Sequence, residues 1–287
     1  MTTTLFALAA LTLTPTADPY PNAKILIEPG ALVAQIKTDS SKIAVLDARD
    51  EKLYAAGHIP GAIRLPTADW GKAVPDTPGA WARRLAEIGI RQETPVVVYG
   101  GTDVRDAARG WWLLKYAGAQ DVRLLNGGYP AWEQAGGASE TKTNVAKPVE
   151  LSKPTVKPER LAEKTDVLTL VKDKSAQIID ARSNDEYCGT SSTAKRNGHI
   201  PGATALEWTE LLGKDKKFKS PEELQKLFAE KKIDLDKPAV TYCQSGGRAA
   251  VVAFGLELMG AKNVRNYYKS WAEWGNADDT PVDVPKK

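Results

Sequence analysis

The hexapeptide Gly57-His58-Ile59-Pro60-Gly61-Ala62 returns unchanged 141 residues later as Gly198-His199-Ile200-Pro201-Gly202-Ala203. The flanking patterns repeat with it. An apolar run followed by Asp-Ala-Arg ends at Arg49 in the first copy and at Arg182 in the second. A shared hexapeptide whose flanks recur in the same order indicates an internal duplication rather than coincidence. The chain is therefore predicted to contain two copies of one structural unit.

Each copy is predicted to alternate short buried strands with helices. The apolar run Val96-Val97-Val98-Tyr99 matches Ala239-Val240-Thr241-Tyr242, and a helical pattern follows each run. The helical patterns are Ala107 to Tyr116 and Ala249 to Met259, and the glycines expected to end them are Gly118 and Gly260. Strands that alternate with helices indicate an α/β fold. We therefore expect each copy to be a mainly parallel sheet covered by helices on both faces.

The length of 287 residues suits two domains better than one hydrophobic core. Between the copies, residues 139–158 carry three prolines among Thr, Lys and Glu, and they show no apolar period. This composition predicts an extended linker that crosses the outside of both domains. The predicted organisation is a signal peptide or N-terminal tail at 1–22, a first domain at 23–138, the linker at 139–158 and a second domain at 159–287.

Composition excludes several classes of function. The net charge is only +3 and no long basic block occurs, so the chain has no electrostatic footprint for nucleic acid. No apolar stretch is long enough to cross a bilayer. Two cysteines and two histidines are too few for a Cys-rich zinc site or a disulfide scaffold. We expect no metal, no cofactor and no membrane or nucleic-acid partner.

The N-terminus carries a weaker signal. Leu5 to Leu13 is apolar and Ala17 precedes Asp18 at a plausible cleavage point, which favours export to the periplasm or beyond. The absence of Lys or Arg before this run, together with Pro15, argues against a secretory signal. The alternative is an N-terminal tail on a cytoplasmic protein.

The second copy places a cysteine at the carboxyl end of the strand 239–242. Cys243-Gln244-Ser245-Gly246-Gly247-Arg248 leads directly into the predicted helix, and α/β folds bind ligands at this edge of a parallel sheet. Gly246 and Gly247 permit a tight turn that points backbone N–H groups inward. The positive end of the helix and the charge of Arg248 add to these donors. Together they favour a thiolate at Cys243, so we predict a nucleophile facing an anion site rather than an inert buried thiol.

This loop, the two hexapeptides and the doubled arrangement resemble a tandem-domain rhodanese, the family of thiosulfate and 3-mercaptopyruvate sulfurtransferases. The similarity extends from about Ala23 to Val282. It implies two tandem rhodanese-like domains, of which the second is catalytic and the first is its degenerate partner. It also implies that Cys243 is the catalytic residue. The loop residues expected to bind substrate are Gln244, Ser245, Gly246, Gly247 and Arg248.

The first copy lacks the groups that this chemistry needs. When Tyr99 is aligned with Tyr242, Gly100 stands where the second copy has Cys243. Asp103 then places a negative charge where an anion is expected to sit. We therefore predict that the first domain is inactive and that it walls the site and stabilises its neighbour.

A second arginine is expected at the substrate. Arg182 follows a buried strand, so it should emerge at the same sheet edge as Cys243, and the family resemblance implies that it binds the anionic group of the donor. The alternative is a structural ion pair with Asp185 or Glu186. Both histidines and both Asp-Ala-Arg aspartates occur in the active and the inactive copy alike. We therefore expect a structural role for them, as for Arg49.

The expected reaction moves sulfane sulfur from thiosulfate, or another small sulfur donor, through a Cys243 persulfide to cyanide or a thiol such as thioredoxin or glutathione. Gln244 replaces the arginine of many thiosulfate-preferring members, and Ser245-Gly246 resembles the mercaptopyruvate type. 3-Mercaptopyruvate is therefore an alternative donor. An alternative of another class is a non-catalytic sulfur carrier or binding module.

Two further alternatives concern the cysteines. Four residues separate Cys243 from Arg248, whereas cysteine phosphatases have five, so the shorter ring suits a sulfur atom better than a phosphoryl group. Cys188 is expected to be a small, partly buried side chain before a glycine turn. The alternative is a resolving cysteine that attacks the persulfide or forms a disulfide with Cys243.

Overall fold

A computed structural model describes residues 19–150, 153 and 155–284. Most of the predicted signal peptide or tail at 1–22 lies outside these described residues. Within them, no helix combines the length and the apolar character needed to cross a membrane.

The first domain folds around a parallel sheet whose strands lie in the order β1-β5-β4-β2-β3. The strands are β1 (Leu26–Ile27), β2 (Ala44–Asp47), β3 (Ile63–Arg64), β4 (Val96–Tyr99) and β5 (Val122–Leu125). The helices are α1 (Pro29–Asp39), α2 (Glu51–Ala56), α3 (Thr67–Lys72), α4 (Pro78–Glu87), α5 (Arg105–Tyr116) and α6 (Gly128–Gln134).

The second domain repeats this plan with strand order β7-β6-β8-β9, and these pairs too are parallel. The strands are β6 (Gln177–Asp180), β7 (Thr204–Ala205), β8 (Ala239–Tyr242) and β9 (Val264–Asn266). The helices are α7 (Lys164–Asp173), α8 (Asn184–Tyr187), α9 (Pro221–Glu230), α10 (Gly247–Leu258) and α11 (Ser270–Trp274). A single bridge between Leu161 and Asn266 takes the place that β1 has beside β5.

Alternate residues of the central strands pack on opposite faces of the sheet. In β4, Val96 and Val98 belong to the apolar cluster on the α5 side, whereas Val97 and Tyr99 belong to the cluster formed with α1 and α6. Every residue of β4 and β8 is buried. The prediction of two parallel sheets covered on both faces is confirmed.

The predicted ends of the main helices also agree with the structure. Gly118 follows α5 with φ +100° and Gly260 follows α10 with φ +98°. Only glycine adopts this left-handed region without steric cost, so the two glycines end their helices as expected.

The two domains share one apolar cluster, which includes residues of both. Helices α5 and α10 pack against each other at its centre. Trp111 meets Phe254 edge to face at 4.9 Å between ring centroids, and Trp112 stacks on Tyr268 at 5.1 Å. Since α5 and α10 each follow the central strand of their own sheet, this contact brings the two strand-to-helix loops close together.

In the described part of the predicted linker, the backbone bonds mainly to the first domain. Glu140 exchanges two N–H···O bonds of 2.9 Å with His58, and the N–H of Lys157 donates to the carbonyl of Tyr116 at 2.7 Å. The chain segment before β1 contacts the second domain instead, because the hydroxyl of Tyr20 donates to the carbonyl of Lys219 at 2.8 Å.

Candidate active site

Cys243 is the first residue after β8 and lies at the carboxyl edge of the second sheet. Its residue surface is only 2% exposed, and the N–H of Ser245 donates to its Sγ at 3.4 Å. Gly246 precedes α10 in the left-handed conformation with φ +82°. A Cβ at this position would lie 2.7 Å from the ring of Tyr268. Glycine is therefore required here both by backbone conformation and by space.

The loop turns its carbonyl groups away from the sulfur. The carbonyl of Cys243 accepts from the N–H of Trp271, and that of Gln244 accepts from the N–H of Ala272, both at 3.0 Å. The side-chain amide of Asn266 donates to the carbonyl of Gly246 at 3.1 Å. The backbone N–H groups of the same loop are less completely bonded. Among the described residues, four of these N–H groups have no acceptor; they belong to Gln244, Gly246, Gly247 and Arg248.

Such a cluster of free donors at the first turn of a helix favours an anion. The geometry expected from the glycines and the helix end is therefore present in the structure.

Ser270 fixes the backbone of the cysteine. Its Oγ accepts from the N–H of Cys243 at 3.1 Å and donates to the carbonyl of Tyr267 at 2.7 Å. Ser270 is fully buried and has φ +56°, a conformation that costs a non-glycine residue roughly 1–3 kcal/mol. Ser270 was not among the site residues predicted from the sequence. Its signal was the repeat itself, because the matching residue of the first copy is Gly128, which has no side chain to bond with.

Arg248 pairs with a carboxylate that the second domain supplies from α8. Its Nη1 lies 2.5 Å from Oε2 of Glu186, and its Nη2 lies 2.8 Å from Oε1. Burial alone would raise the pKa of Glu186, but Arg248 outweighs it and lowers that pKa from 4.5 to about 2. Burial likewise opposes the charge of Arg248, while Glu186 and the sulfur of Cys243 raise the pKa of the guanidinium. The pair fastens the loop to α8 and keeps both groups charged.

The sulfur borders a pocket of about 290 Å³ to which both domains contribute. The second domain supplies the cysteine loop. The first domain supplies residues from the first turns of α5, none of which the sequence analysis placed at the site. They are Arg105, Asp106 and Arg109. Only the packing of α5 on α10 brings them here, and this contact is not encoded within either copy.

Arg182 does not reach this pocket, which corrects its expected position. It is 1% exposed, and its Nη2 lies 2.6 Å from Oδ2 of Asp180 and 2.7 Å from the carbonyl of Gly198. Its guanidinium carbon lies 4.4 Å from the centroid of the Trp271 ring. The ion-pair partner is therefore Asp180 rather than Asp185 or Glu186. The side chain is buried among these partners and does not line the Cys243 pocket.

The first domain contains the same buried arrangement. Nη2 of Arg49 lies 2.6 Å from Oδ2 of Asp47 and 2.7 Å from the carbonyl of Gly57. Tyr99 donates to Asp47 at 2.6 Å, as Tyr242 donates to Asp180. Because the domain without a cysteine has this unit too, its geometry matches a structural role.

The two histidines also match the structural expectation. His58 stacks on Tyr54 and His199 stacks on Tyr187, each with ring centroids 3.8 Å apart. Nδ1 of each histidine lies within 2.9 Å of the backbone carbonyl of the tyrosine on which it stacks. Neither histidine lines the pocket of Cys243.

Two further observations concern the role of Cys188 and the presence of a metal site. Cys188 ends α8 with a partly exposed, free thiol. In the part of the chain that the structure describes, no group of three or more His, Cys, Asp or Glu side chains is placed to hold a metal ion.

A larger cavity of about 680 Å³ lies at the opposite edge of the two sheets, lined by Lys115, Arg160 and Lys262 among others. Its lining includes no cysteine, serine or threonine, so the smaller pocket, which Cys243 borders, is the candidate active site.

Comparison with known proteins gives the family. A family model of the rhodanese-like domain matches residues 29–135 and again residues 163–277. Both ranges fall within the two domains expected from the repeat. The chain therefore belongs to the rhodanese-like family and carries two of its domains in tandem.

Individual relatives indicate the type of reaction. The chain is 34% identical over 292 residues to the thiosulfate sulfurtransferase of Corynebacterium glutamicum, covering 94% of each chain. It is 32% identical over 267 residues to the 3-mercaptopyruvate sulfurtransferase of Escherichia coli K12, covering 86% of this chain and 94% of that one. The wild-type structure of EanB superposes with a TM-score of 0.87 at 25% identity, over 94% of this chain and 71% of that one. The protein is a sulfurtransferase.

Proposed function

We propose that the protein transfers sulfane sulfur from thiosulfate through a persulfide on Cys243. The observation that carries this proposal is that Cys243 borders the pocket together with its own loop, in which four N–H groups have no acceptor among the described residues. A thiolate held in this way is a nucleophile, and the same donors accommodate the anionic end of a small substrate.

In the first half of the cycle, the thiolate attacks the outer sulfur of thiosulfate. A bond forms between Sγ and that sulfur, the S–S bond of thiosulfate breaks, and sulfite leaves with the electron pair. The loop N–H groups and Arg248 stabilise the charge that collects on the leaving sulfonate, as an oxyanion hole does. The enzyme retains one added sulfur as a persulfide.

In the second half, an acceptor attacks the outer sulfur of the persulfide. Cyanide would leave as thiocyanate, and a thiol such as glutathione or thioredoxin would leave as its own persulfide. The electron pair of the broken S–S bond returns to Sγ and restores the thiolate. The cycle balances without any cofactor, since no net electrons enter or leave.

3-Mercaptopyruvate is a second candidate donor. The observation in its favour is that relatives of comparable identity include a 3-mercaptopyruvate sulfurtransferase. Its carboxylate is also an anion that the same donors would bind. Steady-state turnover with the two donors side by side, with cyanide as acceptor, decides between them: we expect the larger kcat/KM with thiosulfate.

The persulfide itself is tested by mass spectrometry. After incubation with thiosulfate and removal of excess donor, the peptide containing Cys243 should gain the mass of one sulfur atom. Cys243→Ser should show no gain and no turnover, because a hydroxyl is far less acidic and does not form a persulfide.

Cys188→Ser is the matched control, since it makes the same change at the other cysteine. It should retain wild-type turnover and wild-type recovery from mild peroxide followed by a thiol reductant. Turnover that persists in Cys243→Ser would refute the proposal, and poorer recovery of Cys188→Ser would assign Cys188 a protective role.

A further inference from the structure

The arginines around the Cys243 pocket differ in how their charge is balanced. Arg248 forms two short bonds with Glu186. Arg105 pairs with Asp103, which also accepts from its backbone N–H at 2.9 Å. Both positive charges are thus compensated by a carboxylate in direct contact.

Arg109 is different. Among residues 19–150, 153 and 155–284, no carboxylate lies within ion-pairing distance of its guanidinium, and its buried Nε has no hydrogen-bond partner. The side chain is only partly exposed, so water does not fully replace the missing partner. A buried donor without an acceptor is energetically unfavourable, because it has lost its bonds to water. Such a cost is recovered when a ligand supplies the acceptor.

The position of Arg109 brings this donor to the anion site. Its guanidinium lies against Gly247, the first residue of α10: a Cβ at Gly247 would be 2.5 Å from Nη2 and 3.0 Å from Nε. The absence of a side chain at Gly247 therefore makes room for an arginine of the other domain. Arg109 meets α10 at its N-terminal turn, where the N–H groups of Gly247 and Arg248 have no acceptor in the described part of the chain.

We propose that Arg109, supplied by the non-catalytic domain, holds the anionic group of the sulfur donor in the Cys243 pocket. This inference rests on the proposed function for the identity of the donor, but the recognition of an anion by Arg109 is a separate claim. It assigns the first domain a direct part in substrate binding. It also places the required cation on α5, in a domain that has no cysteine of its own.

The charges of the pocket support this assignment. Arg105, Arg109 and Arg248 are offset by their partners Asp103 and Glu186 and by Asp106, which also lines the pocket. With Arg109 present the formal charges cancel, and without it the pocket is negative before the thiolate is counted. An anionic reagent approaching Cys243 would then be repelled.

Alkylation of Cys243 measures this effect without any sulfur donor. Iodoacetate and iodoacetamide react with a thiolate by the same displacement and have similar size, but only iodoacetate is charged. Their rates would be measured by mass spectrometry in a Cys188→Ala background, so that one cysteine reacts. The ratio of the two rates reports anion attraction separately from the nucleophilicity of the sulfur.

Arg109→Gln should lower the ratio of iodoacetate to iodoacetamide rates by about tenfold. Arg109→Lys should restore much of it, since the charge returns without the planar fork. Asp106→Asn removes a negative charge from the same pocket and should raise the ratio. Arg83→Gln, the same change at an exposed position of α4, is the control and should leave the ratio unchanged.

An unchanged ratio in Arg109→Gln would overturn the proposal. If that variant does not fold, Asp106→Asn decides instead, and a ratio that fails to rise counts against it. Single-turnover persulfide formation from thiosulfate should slow in parallel with the iodoacetate rate. Should the wild type form no persulfide from thiosulfate while the ratio still falls in Arg109→Gln, the proposed donor is wrong but the anion site stands.

Discussion

The two strand-to-helix loops, Gly100 to Arg105 and Cys243 to Arg248, leave equivalent strands and enter equivalent helices. In the first loop, the carboxylate of Asp103 accepts from the N–H of Arg105 at 2.9 Å and pairs with its side chain. In the second loop, Gly246 stands at the position of Asp103, and four backbone N–H groups have no acceptor among the described residues. The first domain thus carries its own anion at the helix end, whereas the second leaves that place for a ligand.

Beneath the loops the domains are alike. Each has the buried Asp-Arg pair with a tyrosine hydroxyl 2.6 Å from the aspartate. In each, the carbonyl after the central strand accepts an N–H from the last helix, from Tyr129 to Gly100 and from Trp271 to Cys243. The comparison separates residues that maintain the fold, which both copies have, from residues that serve the chemistry, which only one copy has.

The largest effect on stability is expected at the buried Asp-Arg pairs, which both domains have. Arg182→Ala and Arg49→Ala each leave a fully buried aspartate without its cation, and we expect each to lower the free energy of unfolding by about 3–5 kcal/mol. Denaturant unfolding of both variants would check this. If Arg182 binds the donor instead, Arg182→Ala should raise the KM for thiosulfate while its stability stays close to that of the wild type.

A smaller and pH-dependent effect is expected at Glu186, which pairs with Arg248 from α8. Among the described residues of the first domain, Arg105 pairs with Asp103 of its own loop and with no carboxylate of α2. Its pKa of about 2 in the folded protein lies below its ordinary 4.5. The stabilisation is therefore fully present above about pH 4.5 and is lost as the pH falls towards 2. We expect Glu186→Gln to be less stable than the wild type by about 1–3 kcal/mol near neutral pH.

The measurement is urea unfolding of the wild type and Glu186→Gln between pH 7 and pH 3. The difference between the two proteins should shrink as the pH falls. Glu133→Gln, an exposed carboxylate on α6, is the matched control. A difference that stays constant down to pH 3 would show that the Arg248 pair is not its source.

The two domains also differ at one side-chain atom, the Oγ of Ser270, which the matching Gly128 lacks. Ser270→Ala and Ser270→Gly both remove the acceptor of the Cys243 N–H, and we expect each to lower turnover by about tenfold because that buried donor is left unpaired. Ser270→Gly should be the more stable of the two, since glycine adopts φ +56° without strain. Ser175→Ala, at an exposed serine, is the control. Wild-type turnover in both Ser270 variants would mean that Ser270 does not position the cysteine.

Most of the fold was predictable, because the repeat and the apolar strands are local signals. The parallel sheets, the helices α5 and α10 and the glycines that end them were all predicted from the sequence. The cysteine loop was predictable too, since its residues are consecutive.

Side-chain positions that depend on tertiary contacts were not predicted. Arg109 reaches the pocket only through the packing of α5 on α10, and Ser270 reaches Cys243 across residues that no periodicity links. Arg182 was misplaced because its position at the strand end does not reveal which way the side chain turns. The buried Asp180 two residues earlier decides that direction, by offering a charged partner within the turn.

The smallest effect is expected from giving the first domain a cysteine. Gly100→Cys in the Cys243→Ser background should not restore sulfur transfer, although it places a thiol at the matching position. Burial tends to raise the pKa of Asp103, but its bonds with Arg105 lower it overall, so a negative charge stays at the helix end and opposes both a thiolate and an anionic donor. Space is short as well: a Cβ at Gly100 would lie 2.9 Å from the carbonyl oxygen of Asp103. Assays with thiosulfate and cyanide, with mass spectrometry of the new cysteine, would check the result.

Adding Asp103→Gly tests the cause, because removing the carboxylate should raise the reactivity of the new thiol towards iodoacetate. Sulfur transfer in Gly100→Cys alone would show that the missing nucleophile, and not the internal anion, is what separates the two domains.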